Sequence, residues 1–227
     1  MLPGARDDDA EQAWALGHID NLMRAYARHD DVRSVAVVGN APLEPDSARA
    51  ATIDACDLIV RVNGFALDRP GHPACLGSKV DLVVFNRALR PTPWVFDDYR
   101  NRLYLLVEPG RLHWEPELIP DWWPADLGFV AVPNREITLP LADALGLPVR
   151  TEPTWATTGT MAIWLAATRF PEAAIQLAGF SFIDDPTQTS WLHAWGEGCL
   201  VGPEHQIAAE SRLVNSWLDS GRAQLWR

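Results

Sequence analysis

The chain has 227 residues, with 19 Lys and Arg against 30 Asp and Glu, for a formal net charge of −11 at pH 7. A hydrophobic share of 48% and a charged share of 22% suit a globular chain that buries a core, and the length fits one large domain or two small ones. The acidic balance excludes a broad nucleic-acid or anionic-membrane footprint, which needs a basic surface.

In chain order, Asp7 to Asp30 predicts a helix, with Ala10, Trp14, Leu16, Ile19, Leu22, Met23 and Tyr26 at three- and four-residue steps. Ser34 to Val38 reads as a buried strand that ends in Gly39-Asn40-Ala41-Pro42. A helix follows from about Pro45 to Ala55. Asp57 to Val62, Val80 to Phe85 and Leu103 to Val107 read as three more strands. Pro109 to Pro124, rich in Trp, Pro and Glu, predicts short turns and loop. Leu127 to Val132 predicts a fifth strand and Ile137 to Leu145 a short helix. Thr157-Thr158-Gly159 opens a helix to about Phe170, Ala174 to Ala178 is the next strand, and Gly179-Phe180-Ser181 ends it. Asp184 to Pro203 is irregular and aromatic, and Glu204 to Leu218 predicts the final helix.

Short, nearly all-apolar strands alternating with helices indicate an α/β fold with a mostly parallel central sheet flanked by helices. There is no repeat and no linker, so residues 1–227 read as a single domain. Residues 1–30 form its N-terminal helix, 33–180 its α/β core, and 181–227 an irregular loop and C-terminal helix. No apolar window approaches the ~20 residues of a membrane span. Met1 to Ala10 lacks the basic and apolar regions of a secretory signal. The three cysteines, Cys56, Cys75 and Cys199, form neither a disulfide framework nor a C-x-x-C zinc pair. The chain reads as cytoplasmic, peripheral at most to a membrane, with reduced thiols.

Ligands of open α/β sheets bind beyond the carboxyl ends of the strands, which directs attention to four loops: Gly39-Asn40, Arg61-Val62-Asn63, Thr157-Thr158-Gly159 and Gly179-Phe180-Ser181. Neither G-x-G-x-x-G nor G-x-x-x-x-G-K-[ST] occurs, so dinucleotide and P-loop readings lose support. Gly39 permits close approach of a ligand to backbone, and the Asn40 amide both donates and accepts. Two readings stand open for Thr157 and Thr158: an N-cap, or an anion cradle of hydroxyls and first-turn N–H groups. Asn63-Gly64 is equally open between a turn and a site. Asp7-Asp8-Asp9 and Asp97-Asp98 read as solvated faces or helix starts rather than metal ligands, and Asp184-Asp185 resembles a metal-binding D-x-D only loosely.

Taken together these segments resemble the sialyltransferase family, inverting glycosyltransferases that use CMP-activated acidic sugars. The large motif of that family, V-V-G-N-S through I-D-x-x-D-x-V-x-R-x-N to V-G-x-K-T, matches Val37-Val38-Gly39-Asn40-Ala41, Ile53 to Asn63 and Leu76-Gly77-Ser78-Lys79-Val80. The small motif matches Thr158-Gly159-Thr160-Met161-Ala162 through Gly179-Phe180. The third motif matches His193-Ala194-Trp195, and the very small motif, H-x4-E, matches His205 to Glu210. Lys79, the sole lysine of the chain, falls on the lysine of the large motif. Ser34 stands where animal members carry a disulfide cysteine, and Val80 replaces the usual threonine, so the chain looks like a compact, soluble, bacterial-type relative.

The resemblance implies a Rossmann-like, GT-A-type variant fold and a displacement at the anomeric carbon that needs no cofactor and no metal. The donor would be a CMP-sugar carrying sialic acid or a related ulosonic acid such as Kdo, and the acceptor a glycan or lipid-glycan hydroxyl; no nucleic acid is implied. Gly39, Asn40, Asn63, Thr157, Thr158, Gly159, Gly179 and Phe180 would line the nucleotide pocket. His193 would bond the leaving phosphate and His205 would be the general base, with Arg61, Lys79 and Glu210 in support. Arg61 and Lys79, with the two histidines and a helix N-terminus, would gather positive potential there. On the residues alone, His193 reads equally as a loop histidine packed by Trp191 and Trp195, and His205 as an exposed first-turn residue. Glu210, five residues on, reads as structural or as a cap to another segment. Trp114, Trp122 and Trp123 read as an acceptor platform or as packing. A nucleotide-binding relative without transfer activity, or a CMP-sugar hydrolase, is the alternative.

Overall fold

The computed structural model describes residues 8–115 and 118–227, with side chains described from Trp14 onward. Asp7 and the side chains of Asp8, Asp9 and Ala10 lie outside the described residues. The chain-order elements are α1 (Asp8–Ala27), β1 (Ser34–Val38), α2 (Ser47–Asp54), β2 (Leu58–Val62), β3 (Leu82–Phe85), β4 (Leu103–Leu106) and β5 (Val130–Ala131). There follow α3 (Leu139–Leu145), entered through a π-helical turn over Asn134–Thr138, then α4 (Thr158–Arg169), β6 (Ala174–Ala178) and a single turn α5 (Ser181–Asp184). A hairpin of β7 (Ser190–Leu192) and β8 (Gly198–Leu200), the helix α6 (Ile207–Asp219) and β9 (Ala223–Trp226) complete the chain.

Seven strands form one sheet in the order β5-β4-β3-β2-β1-β6-β9, and every pairing in it is parallel. Strand alternation divides β1 between two cores. Val35 and Val37 join Met23 of α1 and Met161 of α4 on one face, whereas Ala36 and Val38 join Ile53 of α2 on the other. Both faces are therefore covered, which is why these strands read as unbroken apolar runs. Toward the β4 edge the second face becomes aromatic: Phe85 stacks on Trp123 at 5.0 Å, with Tyr104 and Phe129 perpendicular around them. Trp123 is thus core packing, and Trp122 lies against Phe96.

The charged residues of the Ile53–Val80 stretch hold loops. Asp54 accepts from Ser78 N and Lys79 N, Asp68 from Leu76 N and Gly77 N, and Asp57 from Arg33 N and Ser34 N. Ser34 Oγ and Asp57 exchange hydrogen bonds, so the serine at the family's cysteine position ties β1 to the start of β2 without a disulfide. All three cysteines are free, and burial pushes the Cys56 thiol up to about 11.

Several elements differ from expectation. The final helix begins at Ile207 rather than Glu204 and leaves His205 in the preceding turn. The segment 184–203 contains a hairpin, and β9, which was not foreseen, adds an edge strand beside β6. The fifth strand shrinks to two residues because only Leu105 and Leu106 find partners there.

Candidate functional site

The strand order runs away from β1 through β2 to β5, then returns to β6 on its other side. The carboxyl ends of β1 and β6 therefore form the switch point where open α/β sheets bind ligands. Gly39 ends β1 and Gly179 ends β6, and their loops touch. Gly39 N donates to Ala178 O at 2.8 Å, and Ala41 N to Gly179 O at 2.9 Å. A Cβ on Gly39 would stand 2.3 Å from Gly179 O, and Gly179 itself has φ +71°, so both positions require glycine.

A cavity of about 400 Å³ opens there. It is lined by every residue the sequence assigned to the site except Arg61, Lys79 and Glu210. Asn40 Nδ2 donates to Val62 O and Gly64 O, which fixes the loop after β1 against the loop after β2. Asn63 takes a left-handed conformation (φ +49°) and its Oδ1 accepts from Asn86 N. Asn86 Nδ2 donates in turn to Thr158 Oγ1 at 2.9 Å. A chain of side-chain amides thus crosses the carboxyl ends of β1, β2 and β3 and ends on α4.

At the start of α4, Thr157 is the N-cap, and its side chain accepts from Thr160 N. Glu210, fully buried on α6, accepts from Thr157 N at 3.0 Å, from Thr157 Oγ1 at 2.6 Å and from Thr160 Oγ1. The expected cradle is therefore narrower than the sequence suggested. Thr157 is engaged by Glu210, and the N–H groups of Thr158 and Gly159 have no acceptor among the described residues.

Arg61 and Lys79 lie elsewhere, so the positive potential expected of them at the cavity is absent. Arg61 is completely buried in β2, donates to Leu76 O and Lys79 O, and burial pushes its guanidinium down to about 10. Lys79 Nζ donates to Asp54 O. Their role is to hold the β2–β3 connection. The cation at the cavity is Arg90, which the sequence reading missed together with Asn86 and Glu204. Applying the carboxyl-end rule to β3 as well would have found Asn86 and led to Arg90.

His193 sits in the hairpin, stacked on Trp195 at 4.6 Å, and its backbone N–H donates to Glu197 O. Burial holds its imidazole below the usual 6.5; Glu197 pulls the other way and Arg90 pushes it further down. His205 Nδ1 lies 3.1 Å from Trp155 O. A carbonyl only accepts, so Nδ1 is the donor in this contact. Glu204, not Glu210, is the carboxylate beside the ring, with Oε1 3.6 Å from Nε2.

His205, Glu204, Thr158 and Asn86 also wall a second cavity of about 450 Å³, which extends past Trp155 to Trp114. His205 therefore stands between two cavities. Among the described residues, no group of three or more His, Cys, Asp or Glu side chains converges as metal ligands. Asp184 is instead paired with Arg227 at 2.8 Å.

No protein-family model matches the sequence, and no curated protein sequence matches it either. The fold does match solved structures. A mammalian sialyltransferase superposes with a TM-score of 0.62 at 16% identity over 99% of this chain and 81% of that one. A mammalian sialyltransferase in complex with Gal-beta-1-3GalNAc-ortho-nitrophenol gives 0.60 at 16% identity over 98% and 80%. The class is thus an α/β protein with a parallel seven-stranded sheet and a switch-point cavity, and its fold is that of the mammalian sialyltransferases. No helix among the described residues is long and apolar enough to cross a membrane.

Proposed function

We propose that this chain is a metal-independent, inverting glycosyltransferase that moves sialic acid or a related ulosonic acid such as Kdo from a CMP-sugar to a glycan hydroxyl. The observation that carries the reading is His205, held by its Nδ1 contact to Trp155 O between two cavities of ligand size. In this reading CMP occupies the switch-point cavity and the acceptor enters the second. The acceptor oxygen attacks the anomeric carbon while Nε2 takes its proton, and the Glu204 carboxylate stabilises the imidazolium that forms. The bond from the anomeric carbon to the phosphate oxygen breaks with its electron pair leaving on CMP. One displacement inverts the centre. The developing phosphate charge is met by the Thr158 and Gly159 N–H groups, His193 and Arg90. The setting proposed with it is cytoplasmic, as the number and spacing of the cysteines in the sequence suggest.

Calorimetry with CMP, UMP, GDP and AMP tests the donor assignment, and release of CMP from a CMP-sugar with and without acceptor tests the chemistry. CMP is expected to bind selectively. His205→Ala is expected to lower transfer by about 10² or more, as for loss of a general base, with CMP affinity retained. Full transfer by His205→Ala would remove the base assignment, and the absence of any selective CMP response would remove the donor. Turnover of CMP-sugar that no glycan accelerates would favour the hydrolase alternative.

A further inference from the structure

The walls of the second cavity carry information about the acceptor that the nucleotide site does not. Trp114 is 58% exposed, yet its ring is fixed from behind. It stands perpendicular to the nearly buried Trp155 at 5.2 Å, and the Trp114 backbone N–H donates to Gly110 O at 2.8 Å. Gly110 lies directly beneath the ring: a Cβ there would come within 3.3 Å of the Trp114 indole. Trp155 is held in turn by His113, which stacks on it at 6.3 Å and bonds Val149 O, and by its own N–H to Glu204 O. The exposed face of Trp114 is therefore a rigid apolar plate, connected through Trp155 to the carbonyl that orients His205.

The same cavity is also lined by a polar cluster. Glu108 is nearly buried and lies between two guanidiniums, in contact with Arg87 Nε and 3.5 Å from Arg111 Nη1. The Arg87–Glu108 pair supplies both donors and acceptors, which suits hydroxyl groups, and Glu108 already cancels one positive charge. Around the cavity, Arg87 and Arg111 face Glu108, Glu115 and Glu204, two positive groups against three negative. A pyranose has an apolar C–H face and a rim of hydroxyls, and this cavity offers one wall for each.

We infer that the second cavity binds the acceptor as an uncharged glycoside, its ring stacked on Trp114 and its hydroxyls on the Arg87–Glu108 pair, and that it rejects acceptors bearing a carboxylate or phosphate. The inference rests on the glycosyltransferase reading for the acceptor's role, but the binding itself is measurable without any donor. Rejection follows from the charge count, because an anionic acceptor would meet a net negative wall while Glu108 occupies both arginines.

Saturation-transfer NMR on the full chain, using neutral methyl hexosides and the same hexosides carrying a uronate carboxylate or a phosphate, reads this directly. Neutral glycosides are expected to bind, with anionic ones at least about tenfold weaker. Trp114→Ala should weaken neutral binding about tenfold and Trp114→Phe should restore most of it. CMP calorimetry on the same variants reports on the other cavity and on folding. Equal or tighter binding of the anionic glycosides would overturn the inference, as would neutral binding that Trp114→Ala leaves within twofold. If CMP binds and its sugar is turned over but no glycoside binds through Trp114, the inference falls and the donor reading stands. If glycosides bind through Trp114 but CMP does not bind, the inference stands and the donor reading falls.

Discussion

Removing the Glu210 carboxylate tests how the start of α4 is held. Glu210 Oε2 is the common acceptor for Thr157 N, Thr157 Oγ1 and Thr160 Oγ1, and its other oxygen has no partner among the described residues. Glu210→Ala strands these donors in a closed interior, and each orphaned buried donor costs ~1–3 kcal/mol. The two hydroxyls stand 3.2 Å apart and can bond each other, which recovers one of the three. The expected loss from the two that remain is therefore about 2–6 kcal/mol. That is a large part of the ~5–15 kcal/mol that holds a typical domain. Glu210→Gln keeps an oxygen for the donors, loses the charge assistance and puts its NH2 where no acceptor waits, for about 1–2 kcal/mol. Urea unfolding followed by tryptophan fluorescence reads both values at constant m. CMP calorimetry on Glu210→Gln supplies the second readout: because Thr157 to Gly159 line the cavity, Kd should rise about tenfold or ~1.4 kcal/mol. A stability cost below ~1 kcal/mol for Glu210→Ala would refute the accounting. An unchanged Kd in a destabilised Glu210→Gln would refute the link from Glu210 to the site.

Two further outcomes follow from the same geometry. Gly39→Ala should cost ~2–3 kcal/mol by urea unfolding and weaken CMP binding, because its Cβ would meet backbone at Gly179 O rather than a movable side chain; a cost under ~0.5 kcal/mol would contradict the contact. His193 has a pKa held below 6.5, so as pH falls toward that lowered pKa the unfolded chain takes up its proton first and His193 subtracts stability. A bound phosphate restores the charge, so CMP should bind more tightly as pH falls below ~6.5, with net proton uptake by calorimetry in two buffers of different ionisation enthalpy; proton release would contradict a His193–phosphate contact.

The order of strands and helices was legible because each buried strand is short, apolar and followed by a turn residue. The same rule located Gly39, Asn63 and Gly179, whose backbones need special conformations or close approach. Charged motif residues were the poorest guide. Arg61 and Lys79 look like ligand contacts in sequence, but Arg61 sits mid-strand on β2, pointing into the sheet's cover, and Lys79 reaches back to Asp54 O. A side chain's direction depends on strand phase and on what packs above it, and spacing along the chain does not give that. Glu204 was hidden for another reason. Its approach to His205 requires a non-helical turn at 204–206, where Gly-Pro-Glu suggested that the helix had already begun. β9 was illegible because an edge strand with Gln224 exposed has no continuous apolar signature.

An acidic chain that binds a phosphate must meet the anion locally. With Arg61 and Lys79 spent on the β2–β3 connection, the fixed positive charges lining the cavity reduce to Arg90 and the α4 N-terminus, the latter worth roughly half an elementary charge, and Glu197 and Glu204 line it too. The buried carboxylate of Glu210 stands at that same N-terminus and offsets part of it. Net attraction is therefore small, and recognition of an anion would fall to directed donors: the N–H groups of Thr158 and Gly159, and His193, whose imidazole burial holds below its usual 6.5. Such a site discriminates by where donors point rather than by total charge. It releases a doubly charged leaving group more readily than a cluster of arginines would. On the proposed reading CMP must leave after every turnover, and weak charge at the cavity would favour that release over storage of the nucleotide.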